Sequence, residues 1–539
     1  MKVFSATAIS PGLARGKVWM PKDPLAMRGD EGSGAPREAM IETQRLEHAI
    51  ATVKSELRAA ADQVSAQMSA ELAGIFSAHE LMLDSLLSSR EFYSEIGSSG
   101  ISAELAARRV FQRWEAKFLR IQDPLFRSKA DDVADLFRRI LRALRSETLG
   151  PATDEVPSGS IIVTHRLLPS DVIPLSRETV AGIVVEELAK GSHSALLVRE
   201  KGIPAVAGVS PRFDELRESG EVLVDAAREE IVLEPDQATS DAFDIRLAAY
   251  KESIRFCRAL CHEPAKTLGG AVVAIMANIG SHETAEAAAQ NGADGIGLFR
   301  LEQLYLGQDR PPDSDELFTE LLGILKPLRE SSVTVRLLDI GGDKVPRFME
   351  RFEDRNSLLG RRGVRFLLRH PELVRGQLRA LLRLSARMKI KILVPLVTLP
   401  ADMRAIRAFL DELIASESIV SPPPPLGAMI ETPAAALRVE DFCQYSDFFS
   451  IGSNDLTQYT LAAARENPEV DDYYQDMHPA IFGLVKMIVE GAGNKPVTLC
   501  GELAGREEAI PQLIALGLRS LSVAPLQIPF VKQQIRTLS

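Results

Sequence analysis

Cysteine is scarce, with four residues (Cys257, Cys261, Cys443 and Cys500) in a chain of 539. Thiols so few and so scattered exclude a disulfide framework and a four-thiolate zinc site, and free cysteines are expected. Excess positive charge is lacking as well. At a net charge of −11 and an isoelectric point near 5.5, the chain has no general basic face with which to displace counterions. That excludes a general nucleic-acid or anionic-membrane binder and leaves room for a local basic pocket. No apolar run approaches the roughly 18 residues of a membrane span, and the opening MKVFSATAISPGLARG has no apolar core for a secretion signal. A cytoplasmic protein is expected. Apolar and charged fractions of 45% and 25% fit a folded chain, and the length predicts three or four domains.

What is present is organised around residues 427–460, GAMIETPAAALRVEDFCQYSDFFSIGSNDLTQYT. Two short apolar runs, ending in Glu431 and in Asn454–Asp455, flank an amphipathic segment from Thr432 to about Tyr445, which reads as strand, helix, strand. In a parallel sheet Glu431 and Asp455 then emerge at the same C-terminal edge, where α/β folds place their ligands. Adjacent carboxylates repel unless a cation sits between them, and a hard ion such as Mg²⁺ is held by one or two carboxylates plus substrate oxygens. Solvated loop acids are the plainer reading of the same spacing.

Residues 1–20 read as two short strands joined by turns around Ser10-Pro11-Gly12 and Arg15-Gly16. From about Pro36 to Gly150 helical periodicity takes over, broken near Gly97–Gly100, and predicts a bundle of four segments. Strand signals then resume at Ile161–Thr164, Ala181–Val185, Ala205–Val209, Glu221–Val224 and Glu230–Leu233. The economical reading is an α/β domain (1–35 and 151–235) interrupted by a helical insertion (36–150), followed by a helical connector (236–270). Eight further strand signals alternate with helices from 271 to 539, at Ala271–Ile279, Gly295–Phe299, Val333–Ile340, Lys389–Val397, Leu426–Ile430, Asp447–Gly452, Pro496–Cys500 and Leu518–Val523. The fold class is therefore multidomain α/β ending in a (β/α)8 barrel, whose catalytic groups belong at the C-terminal strand ends. Asn278, Arg300, Glu302, Arg336, Asp339, Glu431, Asn454, Asp455 and Cys500 all fall there.

Arg300, Arg336, Arg362 and Arg465 add positive charge to a carboxylate-bound metal, so the implied ligand is small and multiply anionic. Ion pairing of these arginines with Glu302 or Asp339 is the plainer alternative. The second chemical stretch runs from Glu187 to Arg199, where Gly191 and Ser192 lead into His193 at the expected start of an apolar helix. Free backbone N–H groups there can cradle a phosphoryl group, and the helix N-terminus disfavours the imidazolium, keeping a neutral nucleophile. A lone histidine is more often structural, and spacing alone leaves both roles open.

The motifs SPGLARGK, GSHSALLVREKGIPAVAGV, GADGIGLFRLEQLYL, VRLLDIGGDK, IETPAAA, DFFSIGSNDLTQYTLAAAR and LCGELAG run over nearly the whole length. On them the chain closely resembles enzyme I of the bacterial phosphoenolpyruvate:sugar phosphotransferase system. The resemblance implies that His193 takes phosphate from phosphoenolpyruvate bound in the barrel and passes it to the phosphocarrier HPr, docked on the helical insertion. It also implies Mg²⁺ on Glu431 and Asp455, a substrate clamp of Arg300, Arg336, Arg362, Asn454 and Arg465, and Cys500 as proton donor to the departing enolate. A homodimer through the barrel is expected, made less secure by the short stretch after the eighth strand. Swivelling at Val232–Ala238 and Gly269–Gly270 is expected to let His193 serve both substrate and carrier. Removal of about 36–150 is expected to abolish delivery to HPr and spare self-phosphorylation.

Two departures stand out. Leu188-Ala189-Lys190-Gly191 replaces the family's glycine- and threonine-bearing approach to the histidine, and Arg361 stands where an aromatic residue is usual. Related phosphoenolpyruvate synthases and pyruvate phosphate dikinases need an ATP-grasp domain for which this length leaves no room. A Mg²⁺-dependent carbon–carbon lyase with an inert His193, or a degenerate regulator that only binds phosphoenolpyruvate or HPr, are the competing readings. Detection of phosphohistidine separates them.

Overall fold

The computed structural model describes residues 1–539 apart from 22–37, 68–69, 89, 100, 121–123, 146–155, 189–191, 210–212, 306–307, 309, 341–358, 417–421, 465–469 and 471. Contacts divide the chain into two compact units, Met1–Ser253 and Ile254–Ser539.

In the first unit, three strands open the chain: β1 (Lys2–Ser5), β2 (Thr7–Ser10) and β3 (Leu13–Trp19). Two were expected, and the difference has a plain cause. β1 pairs with a strand at one edge of the sheet and β2 with a strand at the other, so the run must divide at Ala6, whose N–H donates to the carbonyl of Glu229. Five helices follow instead of four: α1 (Ala39–Gln67), α2 (Ala70–Ser88), α3 (Glu91–Ser99), α4 (Ala103–Arg120) and α5 (Pro124–Leu144). The expected break near Gly97–Gly100 is there. The additional one falls at Arg90, whose φ of 57° is a left-handed conformation that ends a helix as glycine usually does.

The chain then returns through β4 (Ser160–Thr164), α6 (Pro169–Val172), β5 (Val180–Val185), α7 (His193–Glu200), β6 (Ala205–Ala207), α8 (Phe213–Glu218), β7 (Glu221–Asp225) and β8 (Glu230–Leu233). The eight strands form one sheet in the order β1-β8-β7-β3-β4-β5-β6-β2. Its two edge strands are separated in the chain by Ala6 alone, so the sheet must curl until its edges come together. β3, β4, β5 and β6 run parallel and the outer pairings are antiparallel. One core joins Leu46, Val53, Leu57, Phe76 and Phe111 of the bundle to Ile162, Ile183 and Val185 of the sheet, so the helices are packed on the sheet. Helix α9 (Gln237–Ala259) follows β8, within the stretch 236–270 that was expected to be helical.

The second unit is a closed barrel of eight parallel strands: β9 (Ala274–Ile279), β10 (Gly295–Arg300), β11 (Ser332–Arg336), β12 (Lys389–Val394), β13 (Leu426–Ile430), β14 (Phe448–Gly452), β15 (Val497–Cys500) and β16 (Ser520–Val523). All eight expected strands are present, several trimmed at one end. Around them lie α10 (His282–Gln290), α11 (Ser314–Ile324), α12 (Val364–Leu367), α13 (Pro371–Ser385), α14 (Pro400–Ser416), α15 (Pro433–Leu437), α16 (Ser453–Leu461), α17 (Pro479–Gly491), α18 (Ile510–Ala515) and α19 (Ile528–Thr537). The single helix expected from Thr432 to Tyr445 is instead the short α15 and a 3₁₀ turn at Val439–Phe442, because Arg438 leaves helical geometry between them. A lysine, Lys532, is fully buried in α19 and donates to Asp294 Oδ1 at 2.7 Å, while Asp294 Oδ2 accepts from the Ile275 N–H of β9. Among the described residues no helix is long and apolar enough to cross a membrane.

β3 meets β4 across Gly16, where a Cβ would collide with the carbonyl oxygen of Gly159, a backbone atom with no freedom to yield. Gly16→Ala is expected to cost about 1–3 kcal/mol and to lower the melting temperature of the first unit. An unchanged melt would show that this seam is loose.

Candidate functional site

The barrel mouth is built from strand ends, as a parallel barrel requires. Arg300 closes β10 and Arg336 closes β11. Glu431 follows β13, Asn454 and Asp455 lie in the first turn of α16 after β14, and Cys500 ends β15. Arg362 reaches in from the segment before α12. Arg465 lies outside the described residues, as do Ala189, Lys190 and Gly191 before the candidate nucleophile.

These groups form a chain of alternating charge. Glu302 Oε1 accepts from Arg336 Nη2 at 3.0 Å and from the Asp339 N–H at 2.7 Å. Arg336 Nη1 stands 3.1 Å from Asp339 Oδ2. Arg362 grips Asp339 through Nε and Nη2 (3.1 and 3.0 Å) and Asp455 through Nη1 and Nη2 (2.8 and 2.9 Å). Burial alone would lower the pKa of both guanidiniums, but the charges of Asp339 and of Glu302 or Asp455 outweigh it and raise both. The ion pairing that was the plain alternative is therefore real for Arg336 and Arg362, and it holds both at the mouth.

Glu431 is fully buried and its Oε1 accepts from the Leu396 N–H at 2.6 Å. Leu396 has a φ of 52°, a strained conformation for a branched residue, and it aims that N–H at the carboxylate. Gly452 leaves the space Glu431 fills, since a Cβ there would overlap its Oε2. Burial first, then repulsion from Asp455 and Asp339, pushes the Glu431 carboxyl far above its ordinary range, and Arg336 and Arg362 offset only part of this. An all-oxygen donor pair in which Asp455 raises the cost of ionising Glu431 fits a hard cation. Among the described residues no three His, Cys, Asp or Glu side chains form a metal cage by themselves. Mg²⁺ needs none where substrate oxygens complete its shell.

Cys500 is buried among Leu298, Leu393, Met429 and Phe448, with Sγ 3.3 Å from the Ile451 carbonyl and 3.6 Å from Ser450 Oγ. Burial pushes its thiol up to about 11, the nearby Ser450 hydroxyl working against it. A thiol so placed stays protonated and can give a proton. Asn454 is turned away from a free role: its Oδ1 accepts from the Glu502 N–H at 2.9 Å.

In the first unit, Ser192 caps α7 and accepts from the Ala195 N–H, which sets His193 at the first helical position as expected. About a third of the imidazole is exposed, and its Nδ1 lies 3.2 Å from Oδ1 of Asp132, a nearly buried residue of α5. Behind Asp132 stands His79 of α2, fully buried, with Nε2 at 3.0 Å from the same oxygen. Neither Asp132 nor His79 was found by sequence reasoning. The one signal was the set of polar residues Asp131, Asp132, Asp135 and Arg138 interleaved with the apolar Val133, Leu136, Ile140 and Leu141 of α5.

Against known proteins, the model of the PEP-utilising enzyme, PEP-binding domain, matches residues 256–539. The corresponding N-terminal and mobile-domain models match 5–129 and 156–229. The class is thus that of the phosphoenolpyruvate-utilising enzymes. Phosphoenolpyruvate-protein phosphotransferase of Bacillus subtilis (strain 168) is 32% identical over the whole of this chain and 95% of its own length, and that of Geobacillus stearothermophilus is 33% identical over the whole chain and 93% of its own. The protein from Priestia megaterium bearing the same name is 33% identical with 94% of its length covered. The chain belongs to the phosphoenolpyruvate-protein phosphotransferase family.

Two outcomes test the barrel geometry. A carboxyl with a raised folded pKa is neutral in the folded chain at pH values where the unfolded chain has already released its proton, so stability falls as pH rises above the ordinary value near 4.5. Glu431→Gln keeps the acceptor for Leu396 and removes that cost. Its melting temperature without added metal is expected to exceed the wild type's by about 2 °C or more at pH 8, with a smaller gap at pH 5; a variant less stable at pH 8 would contradict the assignment. Since only a thiolate alkylates readily, iodoacetamide is expected to leave Cys500 unmodified in the native chain from pH 7 to 9, and rapid labelling seen by peptide mass spectrometry would contradict its protonated, enclosed state.

Proposed function

We propose that the protein is a phosphoenolpyruvate-dependent histidine phosphotransferase that phosphorylates its own His193 and then a histidine phosphocarrier of the HPr type, releasing pyruvate. One observation carries this reading: in a chain of this family, His193 sits at a helix N-terminus with Nδ1 against a carboxylate, which leaves Nε2 to act as nucleophile.

The parts fall into the following roles. Residues 1–35 and 151–235 form the phosphohistidine domain, 36–150 the HPr-binding insertion, 236–270 the connector and 271–539 the phosphoenolpyruvate-binding barrel. Arg300, Arg336, Arg362, Asn454 and Arg465 bind the carboxylate and phosphate of the substrate. Guanidiniums in a buried mouth suit the charge on a transferring phosphoryl group, because phosphoryl transfer depends on positioning and charge neutralisation more than on covalent chemistry. Glu431 and Asp455 would hold Mg²⁺, which when bound neutralises phosphate and carboxylate oxygens of the substrate. Arg362, forked between Asp339 and Asp455, is placed to present guanidinium donors to the substrate.

His193 attacks phosphorus in line, the enol oxygen leaves, and Cys500 gives the proton that converts the enolate to pyruvate. The buried thiol suits that task, since it reaches the barrel interior protonated at neutral pH. To serve barrel and carrier in turn the nucleophile must change its setting, and the segments around Val232–Ala238 and Gly269–Gly270 are the assigned hinges. A homodimer through the barrel and a cytoplasmic location complete the reading.

The test is incubation of the full chain with labelled phosphoenolpyruvate and Mg²⁺, with and without HPr. The wild type is expected to gain acid-labile phosphate and pass it to HPr. His193→Ala is expected to lose all of it while binding phosphoenolpyruvate as before. Acid-labile phosphate persisting on the variant would refute the assignment of the nucleophile.

A further inference from the structure

We propose that Gln377 of α13 is a positioning residue for the substrate clamp: its side-chain carbonyl fixes the segment after β11, and through Asp339 in that segment it sets Arg336 and Arg362 at the barrel mouth. The inference deepens the reading of those arginines as groups that bind phosphoenolpyruvate, and it rests on that reading.

Gln377 is out of keeping with its own helix face. α13 buries Val374, Leu378, Leu381 and Leu384, and Gln377 lies among them with no exposed surface. Its Nε2 meets no acceptor, although the buried phenol of Tyr305 stands close enough for the amide to offset part of the rise that burial imposes on its pKa. A buried amide with an idle donor costs free energy that a methionine or leucine in the same place would avoid. What the glutamine supplies is its oxygen: Oε1 accepts from the Leu338 N–H at 3.0 Å.

That N–H is the middle one of three in succession, each held by a different element. The Leu337 N–H donates to the Leu393 carbonyl of β12 at 2.9 Å, the Leu338 N–H to Gln377, and the Asp339 N–H to Glu302 Oε1, just past β10, at 2.7 Å. Residues Leu337 to Ile340 are all buried, so a backbone donor released there has little water to turn to. The Asp339 carboxylate is in turn the one in the charged series that meets both guanidiniums. Its Oδ2 stands 3.1 Å from Arg336 Nη1, and its two oxygens accept from Arg362 Nε and Nη2 at 3.1 and 3.0 Å.

The two side chains that hold the segment differ in kind. Glu302 also pairs with Arg336 Nη2 at 3.0 Å and so belongs to the charge series itself. Gln377 is neutral and stands outside that series, so it ties Asp339 to the helix layer without altering the balance of charge at the mouth. Without that tie the Leu338–Asp339 backbone is free to shift, and both arginine forks shift with the carboxylate they share. Displacements of about 1 Å are enough to impair a site whose donors must meet fixed substrate oxygens.

The experiment measures His193 phosphorylation in the full chain with Mg²⁺ and labelled phosphoenolpyruvate. Gln377→Met keeps the volume and removes the acceptor. It is expected to raise half-saturating phosphoenolpyruvate about 10-fold and to change the saturated rate by less, as the loss of contacts to oxygens already charged in the free substrate does. Gln377→Glu keeps an acceptor for Leu338 and is expected to stay near the wild type. Leu384→Ala, buried at the far end of the same helix, is expected to lower the melting temperature and leave half-saturating phosphoenolpyruvate unchanged. Hydrogen exchange of the peptide carrying Leu338 and Asp339 is expected to be slow in the wild type and in Gln377→Glu, and faster in Gln377→Met. Should Gln377→Met fail to fold, Gln377→Asn, with its acceptor drawn back by one methylene, takes its place in the same comparison. A variant without the acceptor that keeps wild-type half-saturation overturns the inference. So does a Gln377→Glu protein that falls with Gln377→Met, or a Leu384→Ala protein that loses affinity as much. A wild type that takes no phosphate would refute the functional reading instead, while hydrogen exchange would still decide whether Gln377 holds the segment.

Discussion

Alternation of charge at the barrel mouth is the constraint on which the rest of the second unit depends. Glu302, Arg336, Asp339, Arg362 and Asp455 form an unbroken series of opposite neighbours. Each of these groups, buried singly, would cost more than a fold can spare, and removing one partner leaves a charge uncompensated. Together they let a dry, parallel barrel carry two strand ends that close on arginine, a third arginine from the segment before α12 and several carboxylates in one place. Among the described residues Glu431 is the member with no ion pair of its own, held by the Leu396 N–H while Asp455 and Asp339 repel its charge. That imbalance is what an incoming divalent ion would remedy.

A different economy governs the first unit. There the polar groups cross from one subdomain to another along a single stripe of α5, and apolar packing on both sides of it keeps water away from the shared carboxylate. The result is a His193 ring set against Asp132, a residue far from it in sequence. Arginines serve as bridges here as well, but each bridges elements, whereas in the barrel Arg336 and Arg362 each bridge two carboxylates.

The barrel was legible in the sequence because parallel strands buried on both faces are short continuous apolar runs, and chemistry gathers at their ends. Leu426–Ile430 was read to the residue, and Glu431, Asp455, Arg336 and Cys500 fell where the strand ends placed them. His193 was legible from the glycine and serine before an apolar helix. What was not legible has a common physical cause. Asp132 and His79 touch His193 only through tertiary packing of helices whose polar residues look, in the sequence, like solvated ones. The break at Arg90 escaped notice because an arginine took the left-handed conformation that glycine usually marks. The division of the opening strands at Ala6 follows from the circular closure of a sheet, which no local pattern encodes.

That closure bears on how the chain assembles. β3 pairs with β7 and with β4, and β1 with β8, so no opening strand can find a partner until the entire bundle has left the ribosome, and β1 waits for the last strand of the sheet. The bundle, in contrast, is made of contacts local in sequence, and such contacts form first. Residues 1–19 must therefore wait as an unpaired apolar edge while the helices organise, and the sheet is sealed last. Because α6 and α7 follow the bundle in the chain, Asp132 of α5 meets His193 of α7 only after the bundle and the strands β4 and β5 have been made, so the setting of that ring depends on the joining of two separately encoded layers.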